Sequence, residues 1–344
     1  MSKKVVIGFS GGLDTSYCVK YFTDELNYEV HSIIVNTGGF SDEELDHIEK
    51  HAKALGVTSH TTVNAVKSYY DNIVKYLIYG NVLKNNTYPL SVSAERVSQA
   101  LNIAEHVKKV GADAVAHGST GAGNDQVRFD MIFHIMIPGV EIITPIRDMQ
   151  LSRQEEIDFL KSKEVKMNFE KSVYSINKGL WGTSVGGKET LSSNGMLPEE
   201  AWPTQLSKHD AENVKLHFEK GELTGVNDKT FEHPVNAIQY LQSIAGAYAI
   251  GRDVHVGDTI IGIKGRVGFE AAAPILIIKA HHALEKHVLT KWQLTMKSQL
   301  ADFYGNWLHE GQLLDPVMRD IEAFFTSSQQ NVTGDVYLQL MPYR

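Results

Sequence analysis

A polar loop near the N-terminus has residue types suited to binding phosphate. It reads SGGLDTS over residues 10–16, follows an apolar run over residues 5–9 and opens a segment with helical periodicity. Glycines let the backbone approach an anion, and a helix N-terminus offers free N–H groups and the positive end of its dipole. A strand-to-helix turn capped by Asp14 and Thr15 is the plainer alternative, but hydroxyls on both sides of the glycines favour a phosphate ligand.

The last residues of this loop indicate which reaction of ATP the site can support. A Walker A sequence ends in Gly-Lys-Ser/Thr, and its lysine reaches the β- and γ-phosphates. The loop here has no lysine. We therefore expect no hydrolysis of ATP to ADP.

A second polar run, HGSTGAGNDQVRF, covers residues 117–129. It combines three glycines with amide, hydroxyl, carboxylate and guanidinium groups, which suit a polar site better than a core. A solvated loop accounts for the glycines but not for such dense hydrogen-bonding chemistry. The run therefore predicts a site that orients substrates, and the Arg128 guanidinium is well matched to a substrate carboxylate.

The elements that must position these two runs follow an alternating pattern. Strand-like segments at residues 5–9, 30–35 and 58–63 alternate with helical segments at residues 15–26 and 42–55, which is a βαβαβ series. Further strands are expected at residues 113–116 and 140–144. Capping boxes are expected at Ser41 with Glu44 and at Ser152 with Glu155. The pattern predicts an α/β fold with a parallel twisted sheet, and both polar runs follow its strands.

From about Phe169 the pattern changes to that of an α+β domain. A hairpin is expected at residues 214–218 and 223–226, helices begin near residues 237 and 271, and a strand-like segment covers residues 336–340. We therefore predict two domains, residues 1–168 and 169–344. The Gly- and Ser-rich segment over residues 175–195 is expected to be a long loop facing a cleft.

The phosphate loop resembles the SGGxD[ST] loop of the ATP pyrophosphatase (PP-loop) superfamily, whose nucleotide-binding domains are of the adenine nucleotide α-hydrolase type. This resemblance implies that the loop binds the β- and γ-phosphates of ATP while an adenylyl group is transferred. Asp14 would then help to hold Mg²⁺ against the departing pyrophosphate.

Together with the second run, other motifs make the chain similar to the argininosuccinate synthase family over nearly its whole length. They are YPLSVSAER at residues 88–96, YSIN at 174–177, LWGTS at 180–184, GR at 251–252 and GIKGR at 262–266. The resemblance implies a ligase of arginine biosynthesis that condenses citrulline with aspartate through a citrulline adenylate. ATP would be cleaved to AMP and pyrophosphate, and a homotetramer is implied.

The resemblance also implies the site residues. Nucleotide contacts are implied at Gly8, Phe9, Ser10, Gly11, Gly12, Leu13, Asp14, Thr15, Ser16, Val35 and Gly118. Aspartate contacts are implied at Thr120, Asn124 and Asp125, and citrulline contacts at Tyr88, Ser93, Asn124, Arg128, Ser175 and Ser184. The catalytic set is Asp14, Asn124, Asp125 and Arg128.

Some of these residues have plainer alternatives. Ser93 could be a helix N-cap, Tyr88 a turn aromatic before Pro89, and Ser175 and Ser184 ordinary loop serines.

Three departures from the family pattern affect these expectations. Ala122 stands where many members have lysine. Gly257 and Phe269 replace a glutamate and a tyrosine that meet the amino-acid end of citrulline, and the neighbouring Asp258 and Glu270 are candidate substitutes. A glycine there would also leave space for an N-acylated citrulline, which is the alternative substrate. The chain stops at Arg344, so the oligomer-forming C-terminal arm is expected to be absent.

The amino-acid composition argues against several other classes of protein. The chain has 344 residues, a formal net charge of -8 and no block of lysine or arginine, which argues against a nucleic-acid partner. Cys18 is the single cysteine, which excludes a disulfide framework. Neither a leader nor an apolar run long enough to cross a membrane was found, so a cytoplasmic enzyme is expected.

Three other possibilities remain. His281, His282 and His287 suggest a metal, but we favour a surface or helix-face position because no acidic partner at ligand spacing is expected to accompany them. The rival functions are another ATP pyrophosphatase, such as an amidotransferase-type synthetase or a tRNA-thiolating enzyme, and a non-catalytic nucleotide sensor of the same fold.

Overall fold

A computed structural model describes residues 2–170 and 173–344 of the chain. The chain divides into two compact units, each built from separate segments. The first unit contains Met1–Ala65, Arg96–Ser172 and Glu310–Gln312, and the second contains Val66–Glu95, Val173–His309 and Leu313–Arg344. None of the helices in the described part of the chain is long and apolar enough to cross a membrane.

The helices and strands are numbered in chain order. The helices are α1 (Leu13–Lys20), α2 (Asp42–Ala54), α3 (Val66–Tyr69), α4 (Lys75–Gly80), α5 (Ser91–Val110), α6 (Asp125–Met136), α7 (Pro145–Asp148), α8 (Arg153–Ser162), α9 (Pro234–Ala245), α10 (Ala272–Val288), α11 (Lys291–His309) and α12 (Pro316–Ser328). The strands are β1 (Lys4–Gly8), β2 (Glu29–Asn36), β3 (Ser59–Asn64), β4 (Ala114–Ala116), β5 (Glu141–Ile143), β6 (Ser175–Gly179), β7 (Gly182–Gly186), β8 (Glu212–Glu219), β9 (Glu222–Val226), β10 (Lys229–Thr230), β11 (Arg252–Asp258), β12 (Lys264–Glu270) and β13 (Gly334–Leu340).

The first unit is built on a five-stranded parallel sheet in the order β3-β2-β1-β4-β5. Its central strand β1 is apolar throughout its middle, and Val5, Val6 and Ile7 are fully buried. Such a continuous apolar run is typical of a parallel strand with both faces covered. The predicted α/β class is confirmed, and both predicted capping boxes, at Ser41 and Ser152, are present.

The strand order places the two polar runs at one point of this sheet. The chain adds β2 and β3 on one side of β1, and then β4 and β5 on the other side. The order therefore reverses between β1 and β4, and in open α/β sheets ligands bind outside the carboxyl ends of the strands at such a point. The SGGLDTS loop follows β1, and the second polar run follows β4.

The second unit contains two antiparallel sheets of four strands, in the orders β10-β9-β8-β13 and β11-β12-β7-β6. The predicted hairpin is confirmed as β8 and β9, and the predicted C-terminal strand is β13, which pairs with β8. Helix α10 has a long buried face, which includes Leu276, Ile277 and Ala280.

The expectation of a long loop over residues 175–195 is wrong for its first half. Strands β6 and β7 form a tight hairpin there, and only the residues after Gly186 leave the sheet. Trp181, in the turn of this hairpin, is almost fully buried, and its Nε1–H donates to the Pro89 carbonyl at 3.0 Å. Burial of a large aromatic side chain stabilises a segment whose glycines and serines, taken alone, indicate a loop.

Candidate active site

The phosphate loop leaves the backbone donors at the start of α1 without a side-chain cap. Gly11 has φ of 78°, in the left-handed region that glycine adopts without strain. Gly12 is the N-cap of α1 and supplies no capping side chain. The first N–H groups of a helix have no partner within the helix, so here they are available to an anion. This geometry is that of an anion-binding turn.

The second polar run touches this loop at Gly118. A Cβ atom placed on Gly118 would lie 3.2 Å from Asp14 Cβ and 3.3 Å from Thr15 Cγ2. Only glycine allows the two chain segments to approach so closely without movement of a neighbour.

Val35, near the end of β2, is almost fully buried.

Asp14 has a carboxyl neighbour that the sequence did not indicate. Glu156 of α8 is buried and hydrogen-bonds with Asp14. Burial first, and then the negative charge of Asp14, raises the pKa of Glu156 to about 8. Near neutral pH Glu156 therefore keeps its proton.

Ser16 has a partner from α2. Its side chain is fully buried, and its Oγ lies 2.9 Å from Nε2 of His51. The ring of His51 also packs against Phe9, with 5.9 Å between ring centroids. Burial, followed by the charge of His47, lowers the pKa of His51.

Asp125 and Arg128 form a charged cluster at the start of α6. Asp125 accepts hydrogen bonds from Arg96 Nε at 3.1 Å and from Arg128 Nη1 at 2.6 Å. Burial opposes ionisation of Asp125, but the charges and hydrogen bonds of both arginines outweigh it and lower its pKa. Asp125 is therefore a carboxylate near neutral pH and a weak base.

A further network supports the second polar run. The Ser119 N–H donates to Nδ1 of His117 at 3.2 Å, so Nε2 carries the proton and donates to Asp130 at 2.9 Å. Arg147 Nη1 donates to the other oxygen of Asp130 at 2.6 Å. Within this run Thr120 is exposed and Asn124 is partly exposed.

In the second unit, several predicted citrulline contacts lie on one face of the β11-β12-β7-β6 sheet. Ser184 pairs with Phe269 on one side and with Asn177 on the other, and Ser175 pairs with Gly186. Directly paired residues point to the same face of a sheet. Both serines lie in strands, so the alternative that they are loop residues is wrong.

The ring of Tyr88 lies against this sheet. Its centroid is 5.3 Å from that of Phe269 and 5.1 Å from that of His255. The Tyr88 hydroxyl accepts from the Val92 N–H at 3.1 Å, in the first turn of α5. The tyrosine thus links the start of that helix to the sheet.

Ser93 lies inside α5, which begins at Ser91. The alternative that Ser93 is the helix N-cap is therefore wrong. Its hydroxyl is buried and lies 2.9 Å from Nδ1 of His309.

The position of Gly257 holds no free space. A Cβ atom there would lie 2.7 Å from His255 Nε2 and 3.0 Å from Asn85 Nδ2. The structure therefore does not favour the sequence argument that this glycine makes room for an acyl group.

Neither neighbouring carboxylate replaces the missing one on this face. Successive side chains of a strand point to opposite faces. Asp258 is exposed and pairs with Lys264 at 2.6 Å, and Glu270 is buried and accepts from the Thr204 hydroxyl at 2.5 Å. The expectation that Asp258 or Glu270 supplies a carboxylate beside Gly257 and Phe269 is therefore contradicted.

Of the two expected positions, surface or helix face, His281 takes the second, since it lies on the buried face of α10. It is fully buried, with Nδ1 2.7 Å from Asn81 Oδ1 and Nε2 2.8 Å from Gln329 Oε1. An acidic residue does accompany it, since Glu285 one turn later lies 3.9 Å from Nε2. No group of three or more potential metal-ligating side chains was found in residues 2–170 and 173–344.

The sequence analysis did not single out several side chains that contact the predicted site residues, among them His51, Arg96, Glu156, His255 and His309. His51 and Glu156 face the core from α2 and α8, and a polar residue on the buried face of an amphipathic helix is the one signal that could have singled them out. Arg96 belongs to the YPLSVSAER motif, but nothing local indicates its contact with Asp125.

The fold and the loop define the class of protein. A parallel sheet with an uncapped, glycine-rich turn at its switch point is typical of nucleotide-binding α/β domains. Two family models match the chain. They are described as "Arginosuccinate synthase N-terminal HUP domain", over residues 4–166, and "Arginosuccinate synthase C-terminal domain", over residues 174–342. The chain belongs to the argininosuccinate synthase family, whose members are ligases that form a carbon–nitrogen bond.

Individual relatives agree with this assignment. Argininosuccinate synthase of Methanocaldococcus jannaschii is 38% identical over 99% of this chain and 86% of its own length. The synthase of Xylella fastidiosa is 36% identical over 98% of this chain and 85% of its own length. The synthase of Xanthomonas campestris pv. campestris is 37% identical over 98% of this chain and 86% of its own length.

Proposed function

We propose that this protein condenses citrulline with aspartate to form argininosuccinate, and cleaves ATP to AMP and pyrophosphate. The observation that carries the proposal is the uncapped start of α1, with Gly118 packed against Asp14 and Thr15. Such a turn suits the pyrophosphate part of ATP, and the family membership supplies the reaction. The preferred substrate is free citrulline, because the family is that of argininosuccinate synthases and because His255 and Asn85 lie next to the Cβ position of Gly257.

The nucleotide contacts are proposed at the residues implied by the family, from Gly8 to Thr15 and at Val35 and Gly118. Ser16, which the family also implies, is proposed to support the loop from its buried contact with His51. Asp14 is the carboxylate that would hold Mg²⁺, and its partial exposure within the phosphate loop fits that role. When bound, the ion supplies positive charge that stabilises the phosphate oxygens. The loop itself contributes backbone N–H groups, which favour the departing pyrophosphate because its charge increases as the bond breaks.

The chemistry is proposed to take two steps. The ureido oxygen of citrulline attacks the α-phosphate of ATP, and pyrophosphate leaves. The α-amine of aspartate then attacks the activated ureido carbon, and AMP leaves with the former ureido oxygen. Neither step needs a side-chain nucleophile, so catalysis rests on alignment and on charge stabilisation.

The lowered pKa of Asp125 limits its role in the second step. A carboxylate held by Arg96 and Arg128 is a weak base, and efficient general bases have a pKa near the working pH. We therefore assign Asp125, with Thr120 and Asn124, to orienting the aspartate substrate rather than to removing its proton.

Citrulline is proposed to contact Tyr88, Ser93, Asn124, Arg128, Ser175 and Ser184. Arg128 would meet the citrulline carboxylate, because a guanidinium offers two parallel donors to two oxygens. We also propose a cytoplasmic homotetramer, which rests on the family resemblance.

A substrate-omission assay tests the proposal. The purified protein is given ATP, Mg²⁺, citrulline and aspartate, and then each mixture that lacks one component. We expect pyrophosphate and AMP in equal amounts and argininosuccinate by mass spectrometry only in the complete mixture. Formation of ADP with orthophosphate, or product without aspartate, would overturn the assignment.

A further inference from the structure

Helix α2 supports the phosphate loop through two side chains one turn apart, Ile48 and His51. A Cβ atom on Gly11 would lie 3.3 Å from Ile48 Cγ1, so the turn of the loop rests on this isoleucine. His51 reaches Ser16 through Nε2 at 2.9 Å and packs its ring against Phe9. Because Phe9 precedes the loop and Ser16 ends it, one imidazole contacts both ends of the phosphate loop.

Both polar groups of Ser16 are used inside the protein. Its N–H donates to the Gly12 carbonyl at 3.0 Å, and its hydroxyl lies against His51 Nε2. The side chain is fully buried. In this arrangement the hydroxyl holds α1 to α2, whereas the backbone donors before Ser16 remain the groups that face an anion.

We propose that His51 is a positioning residue of the phosphate loop, which acts through Ser16 to hold the start of α1 in the conformation that receives pyrophosphate. The inference rests on the proposed function of that loop. Burial lowers the pKa of His51, so near neutral pH it acts as a neutral imidazole, through its hydrogen bond with Ser16 and not by attracting phosphate with a charge. N–H donors that are already held in place bind an anion more tightly, because binding then requires little further loss of conformational entropy.

The test compares side chains that differ in reach. The amide nitrogen of His51→Gln occupies nearly the position of Nε2 and can donate to Ser16, whereas His51→Asn is polar but too short. The binding of inorganic pyrophosphate and of ATP is measured by calorimetry at a temperature well below each variant's Tm. We expect His51→Asn to weaken pyrophosphate binding about 5- to 20-fold, and His51→Gln to stay within about 3-fold of wild type.

A double-mutant cycle shows whether His51 acts through Ser16. With Ser16→Ala in place, His51→Asn should weaken pyrophosphate binding less than about 2-fold further, because the shared contact is already lost. His47→Asn, an exposed histidine on the same helix, is the control and should leave binding unchanged. Steady-state kinetics should show a raised KM for ATP, with KM for citrulline unchanged.

Several results would overturn the inference. These are unchanged pyrophosphate affinity in a folded His51→Asn variant, equal losses in His51→Gln and His51→Asn, or additive losses in the cycle. If the wild type binds pyrophosphate but forms no argininosuccinate, the proposed reaction is wrong, and the binding data for the variants still test the role of His51. If the wild type does not bind pyrophosphate, the proposed reaction and the role of His51 are both rejected.

Discussion

The buried carboxyl group of Glu156 hydrogen-bonds with Asp14, the acidic residue of the phosphate loop. Two carboxyl groups in contact cannot both ionise without a large repulsion, so the buried member keeps its proton. Asp14 is the partly exposed member of the pair and belongs to the phosphate loop. Because of this pair, the free energy of unfolding of the first unit should depend on the pH and on the charge at position 14.

The first prediction concerns stability against pH. The pKa of Glu156 rises from 4.5 to about 8 on folding, so between these values the native state binds more protons than the unfolded state. Stability contributed by protonated Glu156 is therefore present at low pH and lost as the pH rises through this window. We expect Glu156→Gln to match wild type near pH 4 and to exceed it by about 2–5 kcal/mol near pH 9.

Chemical denaturation at both pH values, with Asp158→Asn on the same helix as the control, measures this difference. Parallel pH profiles for wild type and Glu156→Gln would show that Glu156 is ionised in the native protein.

The second prediction separates activity from stability at Asp14. Asp14→Asn removes the proposed Mg²⁺ ligand and the negative charge beside Glu156. We expect pyrophosphate release to fall by a factor of about 100 or more, because charge stabilisation on the phosphates is lost. The Tm at pH 8 should be equal to or above that of wild type. Near wild-type turnover of a folded Asp14→Asn protein would contradict the assignment of Asp14.

The third prediction concerns Arg128. Arg128→Lys keeps a positive charge but cannot provide a planar pair of donors, and it weakens the 2.6 Å contact with Asp125. We expect kcat/KM for citrulline to fall about 10- to 100-fold, a cost of about 1–3 kcal/mol that is typical of a lost charged hydrogen bond. Steady-state kinetics with citrulline as the varied substrate checks this.

Arg153→Lys, which changes an exposed arginine of the same unit, is the matched control. Unchanged citrulline kinetics in Arg128→Lys would leave Arg128 only a structural role.

The fourth prediction concerns the packing of Gly257 against His255. The His255 ring lies flat against Tyr88, and Asn85 is tied to the Val256 carbonyl, so neither group yields freely to a new Cβ atom. We expect Gly257→Ala to lower stability by about 1–3 kcal/mol through overcrowding. In the His255→Ala background the same change should cost much less, because the ring that it meets is gone.

Thermal unfolding of the two single variants and the double variant gives the coupling energy. Additive effects would show that Gly257 and His255 do not pack against each other.

Much of the fold could be predicted because its signals are local. Capping boxes at Ser41 and Ser152, apolar runs of strand length and the glycines of the phosphate loop each depend on residues a few positions apart. The hairpin of β6 and β7 escaped prediction because its stability comes from burial of Trp181, whose partner Pro89 is distant in the chain. Local composition there indicates a loop.

Local sequence signals predict the class of fold and the two polar runs that follow β1 and β4, the first of which is the phosphate loop. The groups that support these runs are known only from the folded chain: Glu156 at Asp14, His51 at Ser16 and Arg96 at Asp125. The same holds for His255, which packs at Gly257 in the second unit. Loop chemistry and periodicity act between near neighbours, whereas these contacts depend on how separate helices and strands pack. A buried carboxyl or imidazole looks like any other polar residue until its neighbours in space are known.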